Sequence, residues 1–401
     1  MGAGPLAGIR ILDITTVLFG PYATQMMAEM GAEVIKLEAP EGDVTRNTEP
    51  ARNPGMGAVF LTLNRGKRSI CLDLKQPAAR DAARAITLGC DVVLSNVRPR
   101  ALARLGLDAK ALRAADPRLI TCALVGFGQD GPYAEKPAYD DLIQGIGGLA
   151  HLALPQGGAA PRYAPFALAD RVAGMHALSA ILAALFERTH TGEGQEIEVP
   201  MFEVMTSMVL GDHMGGMVFD PAVDEGGYAR LMSPDRKPYA TQDGFVCAVV
   251  YNEGHWRRFF AAIGEPQRMA QDPRMADHVT RMRHIDALYA ELAAIFAQRD
   301  TAEWMALLEA ADIPCAPVHS LHALRHDPHL AATGFFGAEE HPSEGALTRM
   351  AVPVRFSAHG EIPRRPTPRL GEHGREVLTE AGLDGSAIEA LAATRALILP
   401  A

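Results

Sequence analysis

Apolar residues occur first in short continuous runs and then in longer stretches at helical spacing, and the two patterns alternate along the first half of the chain. Gly8-Ile-Arg-Ile-Leu-Asp-Ile reads as a strand, Gly20 to Gly31 as a turn and helix closed by glycine, and Glu33-Val-Ile-Lys-Leu-Glu as a second strand. This is a βαβ unit. The alternation continues through Ser69-Ile-Cys-Leu-Asp, Asp91-Val-Val-Leu-Ser-Asn and Leu119-Ile-Thr-Cys-Ala-Leu-Val-Gly, with helical stretches over Pro77 to Leu88 and Ala101 to Ala115. An α/β fold with helix-covered parallel strands follows, and such sheets bind ligands at the carboxyl ends of their strands.

A strongly apolar helical pattern begins at Val172 and runs through Met175, Leu178, Ile181, Leu182, Leu185 and Phe186. Asp170 stands just before it, at or near the predicted N-cap. Free amide hydrogens and the positive end of the helix dipole would keep a carboxylate there ionised and oriented, ready to attack an electrophile without a separate base. Asp is also among the commonest capping residues, so position alone does not make it a nucleophile.

Past Glu196-Ile-Glu-Val the chain turns rich in Met, Gly and Pro, which predicts a helix followed by an irregular connection. The division expected is a large domain over 1–200, a linker over 201–240, a smaller α+β domain over 241–330, and a C-terminal segment over 331–401 returning to the large domain. The small domain is read from the strand-like Gly244 to Tyr251 and from helical stretches His255 to Ile263, Arg283 to Arg299 and Thr301 to Ala311. Met350-Ala-Val-Pro-Val-Arg-Phe reads as a strand, and Pro363-Arg-Arg-Pro-Thr-Pro as an extended linker.

At 401 residues and 48% hydrophobic the chain can bury more than one core. A formal net charge of -10 argues against nucleic acid or anionic membranes as partners. The five cysteines form no CxxC pair and no disulfide framework, which fits a reducing cytoplasm. The start lacks the basic and apolar regions of a leader, and the apolar stretch from Ala177 to Phe186 is too short for a bilayer, so no membrane segment is expected.

Glu38 ends the second strand where a dinucleotide-binding fold keeps its ribose acid, which raises an NAD-binding oxidoreductase as an alternative. The first turn, Thr15-Thr-Val-Leu-Phe-Gly-Pro, has one glycine and lacks G-x-G-x-x-G, so Glu38 is read as an ordinary strand-end acid. No histidine pair has metal-binding spacing, and neither a P-loop nor a G-x-S-x-G elbow is present. No metal site is therefore expected. Lys75, Arg98 and Arg104, each shortly after a predicted strand, could hold phosphates or be solvated surface charges.

Taken together, Gly8-Ile-Arg-Ile-Leu-Asp, Gly31-Ala-Glu-Val-Ile-Lys-Leu-Glu, Asn64-Arg-Gly-Lys-Arg-Ser-Ile, Asn96-Val-Arg-Pro, Gly126-Phe-Gly-Gln-Asp-Gly-Pro-Tyr and Thr191-Gly-Glu-Gly-Gln resemble the family III CoA-transferases over nearly the whole chain. That family includes formyl-CoA transferase and α-methylacyl-CoA racemase. The resemblance implies a Rossmann-like large domain, a smaller α+β domain, and a ring-shaped subunit in an interlocked homodimer. It implies that Asp170 attacks an acyl-CoA thioester, forming aspartyl covalent intermediates, before a free carboxylic acid receives CoA. CoA thioester is then a substrate, with no permanently bound cofactor. By position, Val17, Leu18, Leu72, Lys75, Asn96, Arg98 and Arg104 are implied CoA contacts, and Tyr139, Asp140 and Glu253 belong to the substrate pocket.

Racemases of this family place a His before the Asp where this chain has Tyr139 before Asp140. A Tyr with an ordinary pKa of about 10 is a poor base at neutral pH, so transferase is favoured over racemase. Formyl-CoA transferases carry a Gln where this chain has Leu18, an Arg where it has Ala39, and a tetraglycine lid for which Gly215-Gly216 and Gly226-Gly227 are weak substitutes. The expected acceptor is therefore a larger acid, a short dicarboxylate or branched acid, with Arg46, Arg236 or Lys237 as partners for a distal carboxylate. A noncatalytic acyl-CoA-binding protein is the alternative outside enzymes.

Overall fold

In the computed structural model, which describes residues 4–360, 362 and 365–400, the short apolar runs become one sheet. In chain order the elements are β1 (Arg10–Ile14), α1 (Phe19–Glu29), β2 (Glu33–Glu38), α2 (Ala58–Leu63), β3 (Lys67–Leu72), α3 (Pro77–Thr87) and β4 (Val92–Ser95). There follow α4 (Pro99–Leu105), α5 (Ala109–Ala115), β5 (Ile120–Val125), α6 (Asp140–Ile146), α7 (Leu168–Thr191), β6 (Glu196–Pro200) and α8 (Met201–His213). The strands lie in the order β3-β2-β1-β4-β5-β6, all parallel, and Leu397–Ile398 adds an antiparallel strand beside β3. Successive connections run outward from β1 in one direction and from β4 in the other. The crevice at the carboxyl ends of β1 and β4 is thus the topological switch point, where open α/β sheets hold ligands.

Burial explains the strand sequences. Every residue of β3 and β4 is buried, and Leu12, Ile35, Ile70 and Val93 pack with Ala79, Ala82, Ala83 and Ile86 of α3 and with Val377, Leu378 and Leu391 near the C-terminus. Each such Leu or Ile contributes about 1.5–3 kcal/mol by leaving water. Helix α3 starts with Pro at its first turn, where the missing N–H costs nothing. The single helix expected over Ala101 to Ala115 is two, because Gly106 ends α4 in a left-handed conformation and the Asp108 side chain caps α5.

The chain divides into two compact units, one of residues 1–147, 164–206 and 332–401, the other of 148–163 and 207–331. The second unit begins earlier than the expected 241–330, because much of the segment read as a linker is built into it. It has a three-stranded antiparallel sheet of Tyr239–Ala240, Phe245–Ala248 and Cys315–Pro317. Its core gathers Trp256, Phe259, Phe260, Phe296 and Trp304. In the first unit, the strand expected over 350–356 is displaced: a hairpin pairs Phe336–His341 with Gly345–Met350, and Pro353, lacking an N–H, lies beyond it. Residues 363 and 364 of the predicted linker, and 1–3 of the start, lie outside the described residues.

Helix α7 spans 24 residues, further than its apolar pattern suggested, and is long and apolar enough by length and composition to cross a membrane. Its buried side is packed on α1. At Gly174 a Cβ would come within 2.9 Å of the Phe19 carbonyl oxygen, so glycine permits this close approach.

Candidate active site

A cavity of about 290 Å³ opens at the switch point. Thr16 and Val17 enter it from the end of β1, Asn96 to Arg100 from the end of β4, and Gly126 and Gln129 from the end of β5. Tyr139 and Asp140, at the start of α6, and Asp170, in the first turn of α7, complete the wall. Three distant stretches of sequence meet because β1, β4 and β5 are neighbours.

The glycine-rich loop after β5 is held near its start by two carboxylates. Glu203 accepts the Gly128 N–H at 2.9 Å and Glu198 accepts the Gln129 N–H at 3.0 Å. A Cβ on Gly126 would lie 2.1 Å from that of Ala138, so only glycine lets the strand end pass the segment that presents Tyr139 and Asp140.

Asp170 does not cap α7. The N-cap is Ala167, without a side-chain hydrogen bond, and Asp170 sits within the first turn. The cap comes from Asp140, whose Oδ1 accepts the Asp170 N–H at 3.0 Å. Buried Gln144 fixes that carboxylate by donating to its Oδ2 at 2.6 Å, and its own Oε1 accepts the Ala164 N–H at 2.8 Å.

The electrostatic expectation for Asp170 is also reversed. Burial, reinforced by the Asp140 carboxylate and opposed by Arg171, pushes its carboxyl up to about 7. Burial and a like charge together outweigh the about 0.3–1 kcal/mol that a helix end gives an anion. Near neutral pH the group is balanced between acid and carboxylate.

Of the residues selected from sequence, Val17, Asn96, Arg98, Tyr139, Asp140 and Asp170 line the cavity. Leu18, Leu72, Lys75 and Arg104 do not. Leu72 is wholly enclosed in the sheet core and offers no surface to a ligand. Leu18 precedes α1, while Lys75 and Arg104 are exposed elsewhere on this unit. Glu253 belongs to the second unit, on the surface, paired with Arg257 at 2.6 Å. Arg46 cannot serve a substrate carboxylate: it is buried and bound to both oxygens of Glu38, at 2.8 and 2.7 Å. Glu38 also accepts from the Ser69 hydroxyl, so it is a buried ionic anchor and no ordinary strand-end acid. Arg236 and Lys237 lie in the second unit, Lys237 beside Asp235. The same unit contains both glycine pairs, joined by Asp224, which accepts the N–H groups of Gly216 and Gly226.

Sequence reasoning missed Arg100, Glu135 and Lys136, which line the cavity. Arg100 pairs with Glu135 at 3.0 Å, and the Lys136 ammonium lies 3.6 Å from the centre of the Tyr133 ring. With Arg98 they supply cations suited to phosphates. Among the described residues, no cluster of His, Cys, Asp and Glu has the arrangement of a metal site. All five cysteines are free, and burial pushes the thiols of Cys71, Cys90 and Cys122 up to about 12. None of the five lines the cavity.

Comparison with known proteins gives this geometry a context. Residues 6–374 match the profile described as CoA-transferase family III. The chain is 34% identical to a succinate–glutarate CoA-transferase of Agrobacterium fabrum, covering 94% of this chain and 95% of that protein. It is 32% identical to a formyl-CoA:oxalate CoA-transferase of Escherichia coli, covering 98% and 99%. A crystal structure of a CAIB/BAIF family protein from Brucella suis superposes with a TM-score of 0.79, at 30% identity, over 94% of this chain and all of that one.

Proposed function

Since the chain belongs to CoA-transferase family III and is thereby a CoA-transferase, we propose that Asp170 carries the transfer as a covalent nucleophile. The single observation supporting this most is its place: a carboxylate at the inner wall of the switch-point cavity, pushed up to about 7. Once ionised, such a carboxylate is a better nucleophile than one held at an ordinary low pKa.

One Asp170 oxygen attacks the thioester carbonyl, the carbon–sulfur bond breaks, and CoA thiolate leaves a mixed anhydride. The thiolate then attacks the Asp170 carbonyl, releasing the first acid and leaving an aspartyl-CoA thioester. The acceptor carboxylate displaces CoA from that thioester, forming a second anhydride. CoA thiolate attacks its acyl carbon, giving the new acyl-CoA and free Asp170. Each step exchanges one acyl bond for another and needs no external base, so the protein's task is to position the partners and exclude water. Arg98, Arg100 and Lys136 provide charge for the CoA phosphates.

The acceptor we infer is a short dicarboxylate or a branched acid rather than oxalate. One relative is named for succinate and glutarate, and Val17, an apolar side chain, stands on the cavity wall beside Asp170. We also propose an interlocked homodimer. Leu142, Ile146, Phe166 and Met175 are exposed in the first unit, an apolar surface that a second copy would cover. Free, largely buried cysteines fit a reducing cytoplasm.

Mass spectrometry after mixing with a panel of acyl-CoAs tests the chemistry: an acyl or CoA adduct on Asp170, trapped by hydroxylamine, is expected, and an unmodified Asp170 during turnover would exclude the mechanism. In substrate profiling, succinate or glutarate should exceed oxalate; efficient oxalate exchange refutes the acceptor assignment. The pH dependence is a separate check. kcat/KM should rise with pH through a midpoint at about 7, the value to which the Asp170 carboxyl is raised. Asp140→Asn keeps an acceptor for the Asp170 N–H but removes the like charge, so the midpoint should move to lower pH. A midpoint that stays put would remove Asp140 from this role.

A further inference from the structure

Residues Thr15 to Val17 are tied to their surroundings by more hydrogen bonds than a loop requires. The Asp13 carboxylate accepts the Thr15 N–H at 3.0 Å, and buried Lys36 donates to the Thr15 carbonyl at 2.8 Å. The Asn96 side chain pairs with both polar groups of the next residue: its Oδ1 accepts the Thr16 N–H at 3.1 Å and its Nδ2 donates to the Thr16 carbonyl at 3.0 Å. Asp43, ion-paired with Lys36 at 2.9 Å, accepts the Val17 N–H at 3.2 Å.

These ties hold Val17 at φ 70°, in the left-handed region. For a β-branched residue that conformation is rare and strained, so it persists only where neighbours over-determine it. Val17 and Thr16 face the same cavity as Asp170.

The geometry points to Asn96 as a positioning residue for the transfer: its amide clamps Thr16 and so fixes the left-handed turn at Val17 that forms the wall of the cavity shared with Asp170. This is an alternative to its expected role as a contact for CoA: one N–H and one lone pair of the amide are engaged by the Thr16 backbone. The buried Lys36–Asp43 pair supports the same turn from below. The inference rests on the transferase reading and adds to it a residue that need not touch substrate.

Asn96→Ala separates the two roles. A clamp lost from the turn misplaces the cavity wall, so kcat should fall by about 10²-fold, while the dissociation constant for CoA, measured by calorimetry, changes by less than about threefold. A CoA contact would behave oppositely, with CoA binding weakened about tenfold or more and kcat preserved; that result overturns the inference, as does an unchanged kcat. Should the alanine variant not fold, Asn96→Asp is the second arm. It keeps an acceptor for the Thr16 N–H and sets a charge against the Thr16 carbonyl, and the same drop in kcat with CoA binding retained is expected. Normal transfer by either folded variant beside an active native enzyme defeats the clamp alone. Absence of CoA transfer by the native protein defeats the clamp and the transferase reading together.

Discussion

Asp170→Asn should lower CoA transfer by about 10⁴-fold or more, as loss of a covalent nucleophile does, and should also make the protein more stable above neutral pH. The second half follows from the raised carboxyl. Unfolded, Asp170 ionises near its ordinary value of 3.8; folded, it holds its proton up to about 7. The folded state therefore binds more protons between those values. The stabilisation from this group is complete below about pH 4 and is lost as pH rises through about 7. Asn carries no charge to bury and avoids that loss, a gain on the order of 2–4 kcal/mol at pH 8 and little at pH 4. Urea unfolding of both proteins at the two pH values measures it. A variant that transfers CoA at the native rate defeats the nucleophile, and an equal stability gap at both pH values defeats the electrostatic account.

The second large effect concerns stability alone. Asp13 and Lys67 are fully buried and paired at 3.0 Å, beside Lys36 and the Thr15 and Thr24 hydroxyls. Burial alone would raise Asp13, but Lys67, Lys36 and the two hydroxyls hold it down at about 2. Lys67 moves the other way relative to its partner's pull, down to about 8, because burial and the neighbouring Lys36 outweigh Asp13. Removing one partner leaves the other charge unanswered in the sheet core. Asp13→Asn or Lys67→Met should each cost about 3–5 kcal/mol in urea unfolding, and the double variant less than the sum. Asp13 adds a pH signature: its depressed carboxyl stabilises the fold above about pH 4, and that contribution is lost as pH falls through about 2. Single variants within about 1 kcal/mol of native would show that the pair is not isolated from water.

The strands were readable because β1 to β5 are buried on both faces and so appear as nearly unbroken apolar runs. Their order was not. No local pattern reports that β4 returns to lie beside β1, and that pairing brings Asn96 to Thr16. The buried charges were likewise hidden, since Asp13, Lys36 and Lys67 look like polar interruptions until their partners are known. Asp170 is legible as an acid at the start of an apolar helix, with its nucleophile role implied only by the resemblance, but its raised carboxyl depends on burial and on Asp140, 30 positions earlier. The strand expected at Met350 failed because an apolar run with Pro353 has β composition without an available N–H, whereas Gly345–Met350 had a partner in its own hairpin.

The placement of the sulfur atoms has a consequence for side reactions. The cycle proposed above would repeatedly free a CoA thiolate, a strong sulfur nucleophile, and a cysteine within reach would invite a mixed disulfide after any oxidation or a diversion of the acyl group onto the protein. Cys71, Cys90 and Cys122 are shut inside as neutral thiols, and the cavity wall contains no cysteine at all. In that proposed cycle the released thiolate would meet carbonyl carbon at this wall, not rival sulfur.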